Sequence, residues 1–93
     1  MFNRILLLMR EKIRNREYVM TLHARKEMNS DELVIYDIER GILTGEIKER
    51  QKDRESSEWK YRIKGVTVRN DKVEIIAKIS TTGKLVIITV YLS

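Results

Sequence analysis

Apolar residues recur at helical spacing in the first third of the chain and at strand spacing in its second half. Between Phe2 and Arg14 the residues Phe2, Ile5, Leu6, Met9 and Ile13 fall three or four apart. Arg4, Glu11, Lys12 and Arg14 occupy the opposite side, so the spacing predicts an amphipathic helix. Asn15 to Glu17 breaks the pattern, and Tyr18-Val19-Met20-Thr21 reads as a short extended piece. Thr21 is placed to cap a short helical turn through His23, Ala24, Arg25 and Met28. A second marked helix is expected after Asn29-Ser30-Asp31-Glu32, with Leu33, Ile35, Tyr36 and Ile38 as its buried side and Gly41 as its terminator.

From residue 42 onward the period changes to two. Glu46 to Gln51 is a polar alternating segment, which suits a charged edge strand. Asp53 to Ser57 is a charged turn. Trp59, Tyr61 and Ile63 then alternate with Lys60, Arg62 and Lys64, so the apolar set is assigned to the core and the cations to water. Gly65 marks a bulge or bend, and Asn70-Asp71 a turn. Val73, Ile75, Ala77 and Ile79 form the next alternation, closed by a hairpin at Thr81-Thr82-Gly83. Leu85 to Leu92 is almost wholly β-branched or apolar, as in an inner strand covered on much of both faces. Thr89 and Tyr91 place their hydroxyls opposite Ile88 and Val90. The pattern predicts one α+β domain over residues 1–93, with its helices within residues 1–41 and its sheet within residues 42–93.

Composition narrows the chemistry. The 93 residues are 42% hydrophobic and 35% charged, which fits one folded domain with a modest core. The absence of Cys excludes thiol catalysis, thiolate metal sites and disulfides, and a single His excludes a histidine-rich metal site. No cofactor motif is found. The apolar run Ile5 to Met9 is too short for a secretory leader or a membrane span, so the protein is expected to be cytoplasmic and free of membrane. A net charge of +5 favours a polyanionic partner.

The cations are also patterned. Lys60, Arg62 and Lys64 share one strand face, with Arg54 in the preceding loop and Lys78 on a later strand. Such groups grip phosphates and stabilise developing negative charge, although alternating charge is also what a wet strand face looks like. His23 is the one side chain whose unperturbed titration lies near neutrality, which suits a general acid or base and equally a structural hydrogen bond. Tyr91 fits either a contact with base or phosphate, or packing at the sheet rim. Asp53, Glu55 and Glu58 suit a salt-bridged loop, with a weak magnesium site as the alternative. Lys, Arg, His and Tyr suffice for RNA cleavage without a metal: a base activates the ribose 2′-hydroxyl, cations neutralise the phosphorane and an acid protonates the 5′-oxygen.

Several strings, in order, resemble a family of small bacterial proteins placed in the RelE/ParE toxin superfamily. Thr21 to Met28, TLHARKEM, resembles that family's T-x-H-A-x-x-R-M opening. SDELVIYDIERG and GEIKE resemble its S-x-x-x-V-x-x-V-x-x-G-E-I segment, WKYRIKG its R-Y-x-x-x-G strand, and LVIITVYL its closing I-T-V-Y strand. His23, Tyr61, Gly65, Thr89 and Tyr91 fall on family positions, while Lys26 or Glu27 stands where the family often has Arg. The resemblance implies a RelE-like fold: N-terminal helices on a curled antiparallel β-sheet of about four or five strands. It also implies a toxin-like, metal-independent endoribonuclease, in its ribosome-dependent form an mRNA interferase. Joined to the cation pattern read above, this makes His23, Arg62 and Tyr91 the expected catalytic residues, with Arg54, Lys60, Lys64 and Lys78 expected to bind nucleic acid. The implied partners are mRNA or the ribosome and a cognate antitoxin. The alternative is a non-catalytic nucleic-acid-binding or protein-interaction module on the same fold.

Overall fold

The computed structural model describes all residues from Met1 to Ser93. The elements run α1 (Asn3–Arg14), β1 (Tyr18–Met20), α2 (Leu22–Ser30), α3 (Ile35–Thr44), β2 (Glu46–Lys52), β3 (Trp59–Val66), β4 (Lys72–Ile79) and β5 (Leu85–Leu92). The five strands form one sheet in the order β1-β5-β4-β3-β2. Side chains of all three helices join one core with one face of the sheet: Met9 and Ile13 from α1, Ala24 from α2, and Ile38 and Ile42 from α3. They meet Tyr61, Ile63, Val73, Ile75, Ala77, Leu85, Ile87 and Val90. No helix is long and apolar enough to cross a membrane.

The expectation of a curled, purely antiparallel RelE-like sheet is corrected on two counts. The sheet is open, because β1 and β2 end it as free edges and do not pair with each other. It is also mixed, because β1 runs parallel to β5, with Tyr18, Val19 and Met20 opposite Leu85, Val86 and Ile87. Local pattern marks Tyr18–Met20 as extended but carries no information about its partner or direction. The long connection through α2, α3 and three strands permits the parallel pairing, since it lets β5 return alongside β1 in the same direction.

Two helix boundaries also move. Thr21 caps as expected, accepting the Ala24 amide proton at 3.0 Å. The helix it starts, however, continues through Asn29 and Ser30, residues whose pattern suggests the cap of the next helix. That next helix starts at Ile35, where the buried Asp37 carboxylate accepts the amides of Val34 at 3.0 Å and Val68 at 3.1 Å. One side chain thus closes the first turn of α3 and ties it to the β3–β4 turn. At its other end α3 passes Gly41 and stops before Gly45. Arg10 of α1 donates to the terminal carbonyls of Ile42 at 3.4 Å and Gly45 at 2.8 Å, the complement of a helix C-terminus.

The outer edge of β5 is covered in two pieces. Residues 85–87 pair with β1. Beyond them α2 and its two caps take over: Thr21 Oγ1 donates to the Ile88 carbonyl, Glu27 accepts from the Val90 amide and Asp31 from the Leu92 amide, each at 3.1 Å. The strand therefore leaves no run of open amides to recruit another chain. The Tyr18 hydroxyl donates to Glu39 of α3, and burial with that carboxylate pushes the phenol up to about 12.

Gly65 is neither bulge nor bend; it pairs regularly with Val73. Its role is contact. A Cβ there would overlap the Gly41 carbonyl oxygen and lie 3.0 Å from the Gly45 Cα, so the end of α3 rests on the backbone of β3. At Gly41 the first atoms met would be Ile75 Cδ1 at 2.8 Å and Val73 Cγ1 at 2.9 Å, which are buried side-chain atoms rather than backbone. Overpacking costs about 1–3 kcal/mol or more where nothing can yield. A mid-helix Gly-to-Ala change returns about 1 kcal/mol. Gly65→Ala is therefore expected to lower the unfolding free energy by roughly 3 kcal/mol, and Gly41→Ala by clearly less. Urea denaturation of both variants checks the order, and a Gly65→Ala protein as stable as wild type would contradict the contact.

Candidate functional site

The sheet face away from the helices carries the charged residues. Two bulges decide which side chains reach it. In β2, Ile47 opposes Ile63 and Glu49 opposes Arg62, leaving Lys48 as the extra residue. In β5, Ala77 opposes Ile87 and Ile76 opposes Thr89, leaving Ile88 as the extra residue. The second bulge sends Ile87 and Val90 both into the core while Thr89 and Tyr91 turn outward. The open face then presents Glu49, then Lys60, Arg62 and Lys64, then Glu74, Ile76 and Lys78, with Thr89 and Tyr91 at its far side.

Arg62 and Tyr91 converge on a residue the sequence pattern did not single out, Glu74. Arg62 Nη1 donates to Glu74 Oε1 at 2.6 Å and Arg62 Nε to Glu49 Oε1 at 3.0 Å. The Tyr91 hydroxyl donates to the same Glu74 oxygen at 3.1 Å. The Arg62 guanidinium holds the Glu74 carboxyl below the usual carboxylate range, against the opposing effect of desolvation, with Tyr91 assisting. Glu74 and Glu49 in turn raise the Arg62 guanidinium. The Tyr91 phenol is pushed up, first by desolvation of its hydroxyl end and then by Glu74. Although 36% of Tyr91 is exposed, it keeps its proton at neutral pH and acts as a donor. Glu74 is legible in the sequence only as an acidic residue alternating with Val73 and Ile75 and facing the cation comb.

His23 stands on the first turn of α2, with its side chain 67% exposed and Nε2 3.2 Å from Glu27 Oε1. Glu27 also receives the Val90 amide, so His23 is oriented by a carboxylate that is itself fixed to β5. His23 and Tyr91 line one shallow hollow of about 340 Å³, together with Lys26, Glu27, Ser30, Asp31 and Val90. Tyr91 thus borders the hollow with its ring and reaches Glu74 with its hydroxyl. The largest concavity lies elsewhere, about 570 Å³ between the α2–α3 and β3–β4 turns, and contains neither His23 nor Arg62, Glu74 or Tyr91.

The phosphate-gripping set divides. Lys78 is held by Asp53 and Glu58, each at 3.1 Å, and its side chain is 16% exposed. Glu58 chiefly raises the Lys78 ammonium, and Asp53 adds to it. Asp53 and Glu58 thus serve as a clamp on Lys78 that folds the 53–58 turn back onto β4. Lys60, Lys64 and Arg54 have no carboxylate within ion-pair distance. Tyr61 is buried as expected and meets Phe2 edge-on at 5.9 Å, but Trp59 is 39% exposed. The core assignment of Trp59 is corrected because it is the first residue of β3, at the tip of the β2–β3 hairpin, where Arg50 and Lys52 lie over its ring.

Because the Glu74 carboxyl is held low in the folded protein, its contribution to stability is complete above its unfolded value, near pH 4.3. It is lost as pH falls through the folded value. Glu74→Gln is expected to destabilise at pH 7 by about 1–2 kcal/mol. It is also expected to flatten the fall in melting temperature between about pH 5 and pH 3. An acid limb identical to wild type, measured by thermal melts across that range, would contradict the Arg62–Glu74–Tyr91 arrangement.

No curated protein and no solved structure matches the chain. A family model described as a domain of unknown function, DUF4258, matches residues 20–92. The match runs from the end of β1 to the end of β5, and so takes in α2, α3, the three glycines at the α3–β3 contact and every residue of the open face described above. The chain belongs to the DUF4258 family of domains.

Proposed function

We infer that the open sheet face binds RNA and cleaves it without a metal, as a distant relative of the RelE/ParE toxins. The observation that carries this reading is the convergence of Arg62 and Tyr91 on the Glu74 carboxylate, beside the unpaired Lys60 and Lys64. In the proposed step Glu74 takes the proton of a ribose 2′-hydroxyl, and the 2′-oxygen bonds to the adjacent phosphorus. The bond from phosphorus to the 5′-oxygen breaks, and that oxygen receives a proton from His23. The products are a 2′,3′-cyclic phosphate and a 5′-hydroxyl end. Arg62 stabilises the charge on the phosphorane, and Tyr91 donates to a phosphate oxygen or to Glu74.

The electrostatics suit this division of labour. Arg62 is what depresses Glu74, and a phosphate arriving at the face competes for Arg62. Moving the guanidinium onto the phosphate relieves Glu74 and makes it a better base at the moment a substrate is present. The sequence strings that resemble the toxin superfamily favour mRNA as the substrate, on or off the ribosome, and a cognate antitoxin as a partner. One observation favours a second reading, a non-catalytic nucleic-acid-binding or protein-interaction module: Arg62 is already satisfied by two carboxylates. In that reading Lys60, Lys64 and Arg54 supply salt-sensitive affinity and Glu74 is structural.

Incubation of defined mRNA with the protein, with and without translating ribosomes and with a chelator present, tests the first reading by mapping new 5′ ends. Discrete cuts are expected, with cyclic-phosphate termini upstream of each. Glu74→Gln, Arg62→Ala and His23→Ala are each expected to slow cleavage by about 10²-fold or more, and Tyr91→Phe by less. Intact mRNA with folded wild-type protein in both conditions would sink the nuclease reading. Retained binding that weakens in Lys60→Glu/Lys64→Glu would then select the module.

A further inference from the structure

The tip of the β2–β3 hairpin gathers charge around the chain's single tryptophan. Lys52 pairs directly with Trp59 across the two strands and Arg50 pairs with Tyr61, so period two puts Arg50, Lys52 and Trp59 on one side of the ribbon. The Arg50 guanidinium carbon lies 4.1 Å from the centroid of a Trp59 ring and the Lys52 ammonium 4.7 Å from it. Both are close enough for a cation–π contact. Lys60 follows on the other side of β3, and Arg54 lies in the turn.

These cations differ from those deeper in the sheet. Arg62 and Lys78 are each held by two carboxylates, whereas Arg50, Lys52, Arg54 and Lys60 have none. The acids of the neighbouring turn are already committed, Asp53 and Glu58 to Lys78, which leaves only Glu55. The indole stays 39% exposed, and the two cations over its ring are paired with no carboxylate. Both features are what a polyanion with flat aromatic groups would complement: phosphates for the cations, and a base for the ring.

We propose that Trp59 is a base-stacking platform for single-stranded RNA, flanked by Arg50 and Lys52 as phosphate clamps, at the free β2 edge. The site rests on the RNA reading above and extends it. Because β2 ends the sheet, a strand held across Arg62 and Lys60 on the open face passes round the edge to Trp59 without crossing a helix. An unpaired strand is required, since bases within a duplex have no free face to offer the ring. Arg50 and Lys52 keep the indole oriented when RNA is absent and move onto phosphates when it binds.

The single tryptophan makes the test direct. A fluorescein-labelled single-stranded oligoadenylate is titrated into the full chain, with anisotropy reporting binding and Trp59 emission reporting stacking. The expected result is saturable quenching that tracks the anisotropy. Inorganic polyphosphate should compete for the site without quenching to the same extent, because it displaces the cations but cannot stack. Trp59→Ala is expected to weaken oligonucleotide binding roughly tenfold while leaving polyphosphate binding unchanged. Arg50→Ala/Lys52→Ala, which keeps the ring, should weaken both. Oligonucleotide binding with unquenched Trp59 and wild-type affinity in Trp59→Ala overturns the platform and leaves the RNA reading standing. No binding of any single strand at low salt overturns both.

Discussion

The C-terminal end of helix α3 meets strand β3 backbone to backbone at Gly65, where the Gly41 carbonyl and the Gly45 Cα occupy the space a side chain would need. This close approach sets the position of most other elements. It brings Ile38 and Ile42 down onto Ile63, Val73 and Ile75, all fully buried, and so gives a 93-residue chain a dense core beneath a single layer of helices. It also fixes the C-terminus of α3 where Arg10 can cap it, which seats α1 against the same layer. A methyl group at Gly65 would lift the helix from the sheet and loosen all of these together.

With the helices confined to one face, the opposite face is left to charge. The two bulges then select which charges. Without the extra Ile88, either Val90 or Ile87 would leave the core, and Tyr91 would turn away from Glu74. Without the extra Lys48, Glu49 would not face Arg62. The Arg62–Glu74–Tyr91 group therefore depends on backbone irregularities as much as on residue identity, and α2 holds β5 in place beside it through Glu27 and Asp31. His23 shares that anchoring, since its neighbour Glu27 is the side chain that receives the Val90 amide.

The elements legible in the sequence are those with a local signature. α1 shows its three-and-four spacing, Thr21 its capping hydroxyl, β3 and β4 their strict alternation, and β2 the polar composition of an edge. Relationships between distant segments are not legible. Tyr18–Met20 reads as extended, yet nothing in three residues specifies a parallel pairing with Leu85–Ile87. Gly65 reads as a break in the alternation because a close approach and a bulge leave the same mark on a sequence. Of the candidate site, Arg62 and Tyr91 stand out by their residue type and face. Glu74 does not, because an acidic residue on a strand among cations looks like ordinary surface charge. Lys78 reads as a phosphate ligand because its carboxylate partners lie 20 and 25 residues away, in a turn whose fold-back has no local signal.

The central claim is that the face opposite the helices is the working surface of this fold. Amide chemical-shift mapping of the ¹⁵N-labelled protein, titrated with a short single-stranded RNA, tests it most directly. The account predicts perturbations concentrated at Lys60, Arg62, Lys64, Glu74, Ile76 and Tyr91 and running on to the hairpin tip at Trp59, with the amides of α1 and α3 unmoved. Perturbations centred on α1, α3 or the hollow between the α2–α3 and β3–β4 turns, with the open face silent, would contradict it.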